Sequence, residues 1–334
     1  MQVFELTRAL VDIESVTGNE KAVGEFLFDR VRPLAERYGG QIERMEVEPN
    51  RCNVFAHWGP PEVVLSTHMD TVPPFFASRE DDEFIWGRGA CDTKGIIASM
   101  LAALEAMLAE GRRKLGILLV VGEERNSAGA RAANRQPRGT RYLINGEPTE
   151  NKLALGSKGA LRLEIEARGR MAHSAYPELG DSAIEKLLDA LSRLRSVALP
   201  VDPVLGESTC NIGTIAGGRA PNVVPDSARA EVMIRLVNTS SDLRAQVLAA
   251  LGDQVLTRVV LEVPPVHLGS IPGIETTIVK YTTDIPELTA WGRPFLLGPG
   301  SIHVAHTSEE RIPKRQLVEA VGLYQRIVKE LQSR

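Results

Sequence analysis

In the stretch "LLVVGEERNSAGA", residues 118–130, a strand-forming apolar run ends in two adjacent carboxylates, Glu123 and Glu124. Neighbouring side chains of a strand point to opposite faces, so a strand continuing through the pair would drive one of them into a packed layer. Burying an unpaired carboxylate is costly. The chain must therefore stop being a strand at the pair, or something must compensate the charge.

The same pattern recurs. "EVVLSTHMD" is an apolar strand running into His68 and Asp70, "RYLINGEP" runs into Glu147, and "RPFLLGPGS" is followed by His303 and His306. Helical signals lie between these runs. Thr17 with Glu20 forms a capping box that opens a helix through about Val31, and "GIIASMLAALEAMLAEG" is a helix stopped by Gly111. Strands separated by helices predict an α/β fold, a largely parallel, doubly wound sheet covered on both faces.

Past about Ser157 the pattern changes. "ALRLEIEAR" alternates with period 2, as an antiparallel strand with one wet face does. A helix over 182–194, strands at "NIGTIAGG" and "ARAEVMIRLV", a helix near 241–251 and a strand near 259–263 complete a β-α-β-β-α-β order. From about His267 the pattern of the first half resumes, ending in a helix with Leu317, Val321, Tyr324, Val328 and Leu331 on one face. The expected organisation is a discontinuous domain, 1–156 and 267–334, interrupted by a smaller two-layer α+β domain at 157–266. A chain of 334 residues has room for both.

A net charge of −4 without a basic run argues against nucleic acid as a partner. No stretch approaches the ~18 apolar residues of a membrane span. The opening "MQVFELTRALVDIES" reads as an amphipathic helix and not as a signal peptide. Cys52, Cys91 and Cys210 are few, odd in number and widely spaced, which predicts a reducing, cytoplasmic setting.

In open α/β sheets, ligands bind beyond the carboxyl ends of the strands. Four such ends here carry metal-ligand side chains: His68, the Glu123–Glu124 pair, Glu147, and His303 with His306. Asp92 adds a carboxylate from the glycine-rich turn "GRGACDTKG". Each residue alone is more often solvated or structural; their coincidence at one sheet edge carries the inference. Two imidazoles with three or four carboxylates suit Zn²⁺, Co²⁺ or Mn²⁺. The surplus of ligands suggests two ions sharing a bridging carboxylate. Asp70, two residues after His68, is placed to accept the second imidazole N–H and fix the ring's tautomer.

"STHMDTVP", "WGRGACDTKG", "GEE", "GEPT" and "GPGSIHVAHTSEE", in that order, closely resemble the motifs of the two-zinc amidohydrolases. That family includes acetylornithine deacetylase, succinyl-diaminopimelate desuccinylase, aminoacylases and related carboxypeptidases. The resemblance spans essentially the whole chain, including "RMAHSAYPELGDSAI" and "GGRAPNVVPDSA", and the tail "KYTTDIPEL…GPGSIHVAHTSEE" looks most like the acetylornithine deacetylase branch.

Carried over by residue, the resemblance implies a zinc-peptidase-like fold in which Asp92 bridges two divalent ions, Zn²⁺ with Co²⁺ as the alternative. His68 and Glu147 would hold one ion, Glu124 and His306 the other, with Glu123 as general base. Of His303 and His306, either can reach a metal by position, and the family pattern "AH-x-x-x-E" picks His306. The resemblance further implies a homodimer joined through the inserted lid domain, with His173 stabilising the oxyanion from the partner subunit. Asn222 is a second oxyanion candidate. Arg235 and the backbone at Gly300–Ser301 could receive the substrate's α-carboxylate. Asp284 faces either a cationic substrate side chain or solvent.

His57 and His267 lie outside every motif and read as structural, and Cys91, beside Asp92, reads as a small buried residue at least as well as a ligand. The implied reaction is hydrolysis of an N-acyl amino acid, N-acetylornithine first, placing the enzyme in arginine biosynthesis. A desuccinylase, another aminoacylase or a dipeptidase is the alternative. A non-catalytic amino-acid-binding scaffold is the remote alternative, which would be expected to lose Glu123 or a ligand; all are present.

Overall fold

Every residue of Val63–His68 and of Leu115–Val120 is buried, which follows from their unbroken apolar character: a strand covered on both faces has no wet side to mark with polar residues. A computed structural model describes residues 2–238 and 241–334. These two strands lie at the centre of a six-stranded sheet with the order 41–48, 51–58, 115–120, 63–68, 142–145, 293–296. The last four are parallel, and Gln41–Glu48 and Arg51–Trp58 extend the sheet antiparallel at one edge. His68 pairs with Val120, and Asn145 pairs with both Ser66 and Leu296, so the carboxyl ends of the four parallel strands are level.

The chain leaves Val63–His68, crosses through the helix Gly95–Ala109 to one side of it, then returns to its other side at Tyr142–Asn145. That reversal makes the end of the His68 strand a topological switch point. On one face, Leu65, Ile117 and Leu119 pack with Leu104 of Gly95–Ala109 and Tyr324 of Lys314–Gln332. On the other, Val64, Leu118 and Val120 pack with Ala130, Ala133 and Trp291. The final helix buries Leu317, Ala320, Tyr324, Ile327, Val328 and Leu331, close to the stripe its spacing predicts.

The chain divides into two compact units: Met1–Leu155 with Leu268–Thr277 and Thr283–Arg334, and Gly156–His267 with Ile278–Thr282. The second unit contains an antiparallel sheet ordered 209–217, 227–236, 159–168, 255–263. Leu161, Leu163 and Ile165 alternate inward and meet Leu187, Leu191 and Leu194 of the helix Ala183–Arg195 and Val247 of Ser241–Leu251. Ser182 caps the first of these helices, its hydroxyl accepting the N–H of Glu185 at 3.3 Å.

Three local expectations are corrected. Thr17 does not cap a helix: the helix is Lys21–Tyr38, it begins after Glu20, and it continues past Val31 through the solvent-facing Pro33. The Thr17 hydroxyl instead donates to Asp70, and Glu20 is bound twice by Arg51, at 2.6 and 2.8 Å. The strand before the glutamate pair ends at Val120, and Gly122, at φ +82°, makes the turn that a β-carbon would oppose. The strand expected near 259–263 begins at Val255.

Candidate metal centre

Level strand ends bring His68, Asp92, Glu124 and His306 together. Asp92 stands between the two imidazoles, its Oδ1 3.0 Å from Nε2 of His68 and its Oδ2 3.3 Å from Nε2 of His306. His306 Nε2 also lies 3.0 Å from Glu124 Oε1. Ligand atoms of His68, Asp92 and Glu124 all fall within 4.8 Å of one another. A tetrahedral ion with bonds of ~2.0 Å holds its ligands roughly 3.3 Å apart, so these separations match a shared shell. Each oxygen of Asp92 faces a different imidazole, which is the geometry of a bridging carboxylate.

Glu147 follows Tyr142–Asn145, and its Oε1 is buried without a hydrogen-bond partner. Its charge acts on His68 and on Asp92 and Glu123. Asp284 lies among the same acids; it is only 1 % exposed and neither oxygen has a formed hydrogen bond. Six carboxyl groups, those of Asp70, Asp92, Glu123, Glu124, Glu147 and Asp284, thus surround two imidazoles.

The electrostatics follow from that surplus. Burial pushes Glu123 and Glu147 well above the ordinary carboxyl range, and neighbouring acids add to it. Burial also raises Glu124, against the hydrogen bond from His306. Burial brings Asp284 to about 7, with the nearby Ser127 hydroxyl pulling the other way. Asp92 sits below its usual range because, against burial, hydrogen bonds from His306 and His68 prevail. Hydrogen bonds to Asp92 and Glu124 lift His306 to about 10. An orphaned buried carboxylate oxygen beside an oxygen- and nitrogen-rich cluster is what divalent cations compensate, so the donor set fits them.

The supporting contacts go beyond what the motifs imply. Nδ1 of His68 lies 3.0 Å from the main-chain carbonyl of Asp70 and 3.5 Å from its carboxylate, so the carbonyl is the nearer acceptor for the ring N–H. The Asp70 carboxylate receives the N–H of Glu123 at 3.1 Å and of Glu124 at 3.2 Å. Glu310 is a further buried support: its Oε1 accepts the N–H groups of Gly89, Cys91 and Asp92, and its Oε2 pairs with Arg88. Spacing after His306 hints at Glu310; nothing in the sequence points to Arg88.

Other expected site residues stand as follows. His303 is exposed and apart from the cluster, whereas His306 enters it. The Gly300 N–H donates to Gln316 Oε1 at 2.7 Å, which removes it as an anchor for a substrate carboxylate and leaves Ser301. Asp284 is buried, so the solvated alternative falls away. Cys91 is fully buried, its thiol 3.4 Å from the Ser301 carbonyl. In the second unit, the His173 and Asn222 loops are paired, with Ser174 N–H donating to the Asn222 carbonyl at 3.0 Å. Arg235 is half-buried, and burial alone draws its guanidinium down.

The sequence profile of peptidase family M20/M25/M40 matches residues 64–330. A peptidase M20 domain-containing protein of Schizosaccharomyces pombe is 38% identical over 341 residues, spanning 98% of this chain and 84% of that protein. A probable carboxypeptidase of Aspergillus clavatus is 38% identical over 368 residues, 96% of this chain and 80% of that one. Among solved structures, aminopeptidase PepT from Bacillus cereus shares the fold, with a TM-score of 0.82 over 99% of this chain and 98% of that one at 19% identity. The chain belongs to peptidase family M20/M25/M40 and is a hydrolase of its metallopeptidase type.

Proposed function

We propose that the protein hydrolyses the amide bond next to a free α-carboxylate, releasing a C-terminal amino acid from an acyl group or a short peptide, with two divalent cations at the centre. The observation that carries this reading is Asp92, whose two oxygens each face a different imidazole. His68 and Glu147 would hold one ion, and Glu124 and His306 the other. When bound, such ions supply Lewis acidity, polarising the scissile carbonyl and making water easier to ionise.

The chain's own groups do the rest. Glu123, adjacent to a ligand without being one, takes the proton of the attacking water and returns it to the departing amine nitrogen. Desolvation keeps its carboxyl basic enough for that exchange, and bound cations would offset the excess. Asp70 fixes the turn on which Glu123 sits. His173, from the partner subunit of a lid-joined dimer, and Asn222 would donate to the developing oxyanion. Arg235 and Ser301 would receive the α-carboxylate.

Two finer readings divide the substrate. The motif resemblance of the tail, with Asp284, supports an N-acyl amino acid with a cationic side chain, N-acetylornithine first, in cytoplasmic arginine biosynthesis. A cation would supply an opposite charge for the buried Asp284 carboxyl. The carboxypeptidase name carried by the Aspergillus clavatus relative supports a short peptide instead.

A panel of N-acetylornithine, N-acetylmethionine, N-succinyl-diaminopimelate, dipeptides and tripeptides, each with a free or amidated C-terminus, tests the proposal with Zn²⁺ or Co²⁺ added. Free-acid substrates should turn over and their amides should not. Equal cleavage of amides would refute the α-carboxylate requirement. Preference for N-acetylornithine over dipeptides selects the deacylase reading; the reverse selects the peptidase.

A further inference from the structure

The Asp70 carboxylate is engaged on both oxygens by the turn that carries the base and a ligand: Oδ1 accepts the N–H of Glu123 and Oδ2 that of Glu124. Beyond these and the His68 ring, the side-chain donor on it among the described residues is Thr17, whose Oγ1 lies 2.7 Å from Oδ2. Asp70 is wholly buried and Thr17 half-buried, so the hydroxyl approaches the carboxylate from the side nearer the surface.

Thr17 arrives from a distant segment that is held along the end of the His68 strand. Its N–H donates to the Thr71 carbonyl at 3.1 Å, and the Thr71 N–H donates to the Ser15 carbonyl at 3.0 Å. The Ser15 hydroxyl donates to the Met69 carbonyl at 2.9 Å, and Val16 bridges Thr71 in parallel. Three hydrogen bonds thus fix the backbone from Ser15 to Thr17, and the free rotor they leave is the Thr17 hydroxyl. A carboxylate rotates about its Cβ–Cγ bond unless donors fix its plane. Without Thr17, Oδ2 keeps only the Glu124 N–H at 3.2 Å, and the plane that directs both glutamates loosens.

We infer that Thr17 is a positioning residue for the Glu123–Glu124 turn, acting through Asp70. It touches neither substrate nor metal ligand. The inference rests on the reading of Glu124 and His68 as metal ligands, and the test below reads metal binding directly, so an error in substrate class leaves it intact.

Thr17→Val removes the hydroxyl and keeps the shape. Loss of a contact that orients ligands typically weakens metal binding or activity about 10–100-fold. We expect Zn²⁺ affinity, measured by competition with a chromophoric chelator, to fall about tenfold. On a substrate turned over by the wild type, kcat should fall while KM stays within about twofold, since the turn carries the base and not the substrate anchor. Thr17→Ser restores the hydroxyl and should recover both. A purely structural hydroxyl would lower the melting temperature of the metal-free protein and leave affinity unchanged. Wild-type affinity in Thr17→Val, or a Thr17→Ser variant as impaired as the valine, overturns the inference. If Thr17→Val does not fold, Thr17→Ala removes the same hydroxyl with less bulk and carries the same expectation.

Discussion

Stripping divalent cations with a chelator should make the protein's stability fall as pH rises from about 5 to 7. In the metal-free chain, Glu123, Glu124, Glu147 and Asp284 all titrate above their ordinary range, chiefly through burial. His68 is raised as well, because its hydrogen bonds to Asp70 and Asp92 outweigh burial, and His306 reaches about 10. Over this window the folded chain holds protons that the unfolded chain has released, so raising the pH favours unfolding. The carboxyls act from their unfolded values of 3.8–4.5 upward, and the imidazoles from 6.5 upward. Asp70 and Asp92 are lowered instead; their contribution is complete above their unfolded value of 3.8 and is lost only as pH falls below it.

Asp284 alone sets a floor for the size of the effect. Moving from 3.8 to about 7 spans roughly three pH units, and one group offset by one unit is worth about 1.4 kcal/mol. About 4 kcal/mol therefore disappears between about pH 4 and 7, of which about 2–3 kcal/mol falls above about pH 5. A kcal/mol moves the melting temperature of a domain this size by about 2–4 °C, so the transition of the metal-free protein should drop by at least about 5 °C between about pH 5 and 7. Differential scanning calorimetry across that range, with chelator and then with saturating Zn²⁺, measures it. The loaded protein should lose most of the fall, because ligation displaces the protons of Glu124, Glu147 and the imidazoles and the cations' charge lowers the neighbouring Glu123 and Asp284. A chelated protein whose transition is flat or rises across that range would refute the buried acid surplus.

The two adjacent glutamates should separate cleanly: Glu123→Gln should keep its metal content by elemental analysis and lose ~10²–10⁴-fold in turnover, whereas Glu124→Ala should lose metal. Equal metal loss in both would end the division of labour. Mixing His173→Ala with Glu123→Ala, each inactive alone, should regenerate activity through one intact composite site per mixed dimer. No recovery despite demonstrated subunit exchange counts against His173 acting across a dimer.

The sheet is legible in the sequence because a parallel strand buried on both faces writes itself as an unbroken apolar run, and Val63–His68 and Leu115–Val120 do so. His68 and Glu124 are legible for a related reason: a polar residue at the end of such a run has nowhere to go but the switch-point crevice, whereas Asp92 is read from the glycine-rich turn before a helix. Thr17 misleads because its spacing to Glu20 is that of a capping box, while a partner 53 residues away takes its hydroxyl. No local pattern marks a contact of that kind. Glu310 is hinted at only by its spacing from His306, since a carboxylate that collects main-chain N–H groups leaves no periodic trace of that role. Gly300 reads as a free donor because its acceptor, Gln316, sits on the following helix. The loop holding Asp284 has no strand or helix period from which burial could be read.

The supports share one design that explains why adjacent carboxylates can serve different ends. Asp70 and Glu310 both hold ligand-bearing turns by their main-chain N–H groups, leaving the side chains of Glu123, Glu124 and Asp92 free to face inward. Backbone donors on these turns would otherwise compete for the same carboxylates, and a glutamate satisfied by its own turn would neither ligate nor exchange protons. Each supporting acid has its own partner outside the cluster, Glu310 the Arg88 guanidinium and Asp70 the Thr17 hydroxyl. Ligand carboxylates have less such relief: Glu147 keeps an oxygen with no partner at all. The uncompensated charge is thus concentrated on the groups that would meet the cations, which makes the metal-free fold sensitive to pH and the same groups strong ligands.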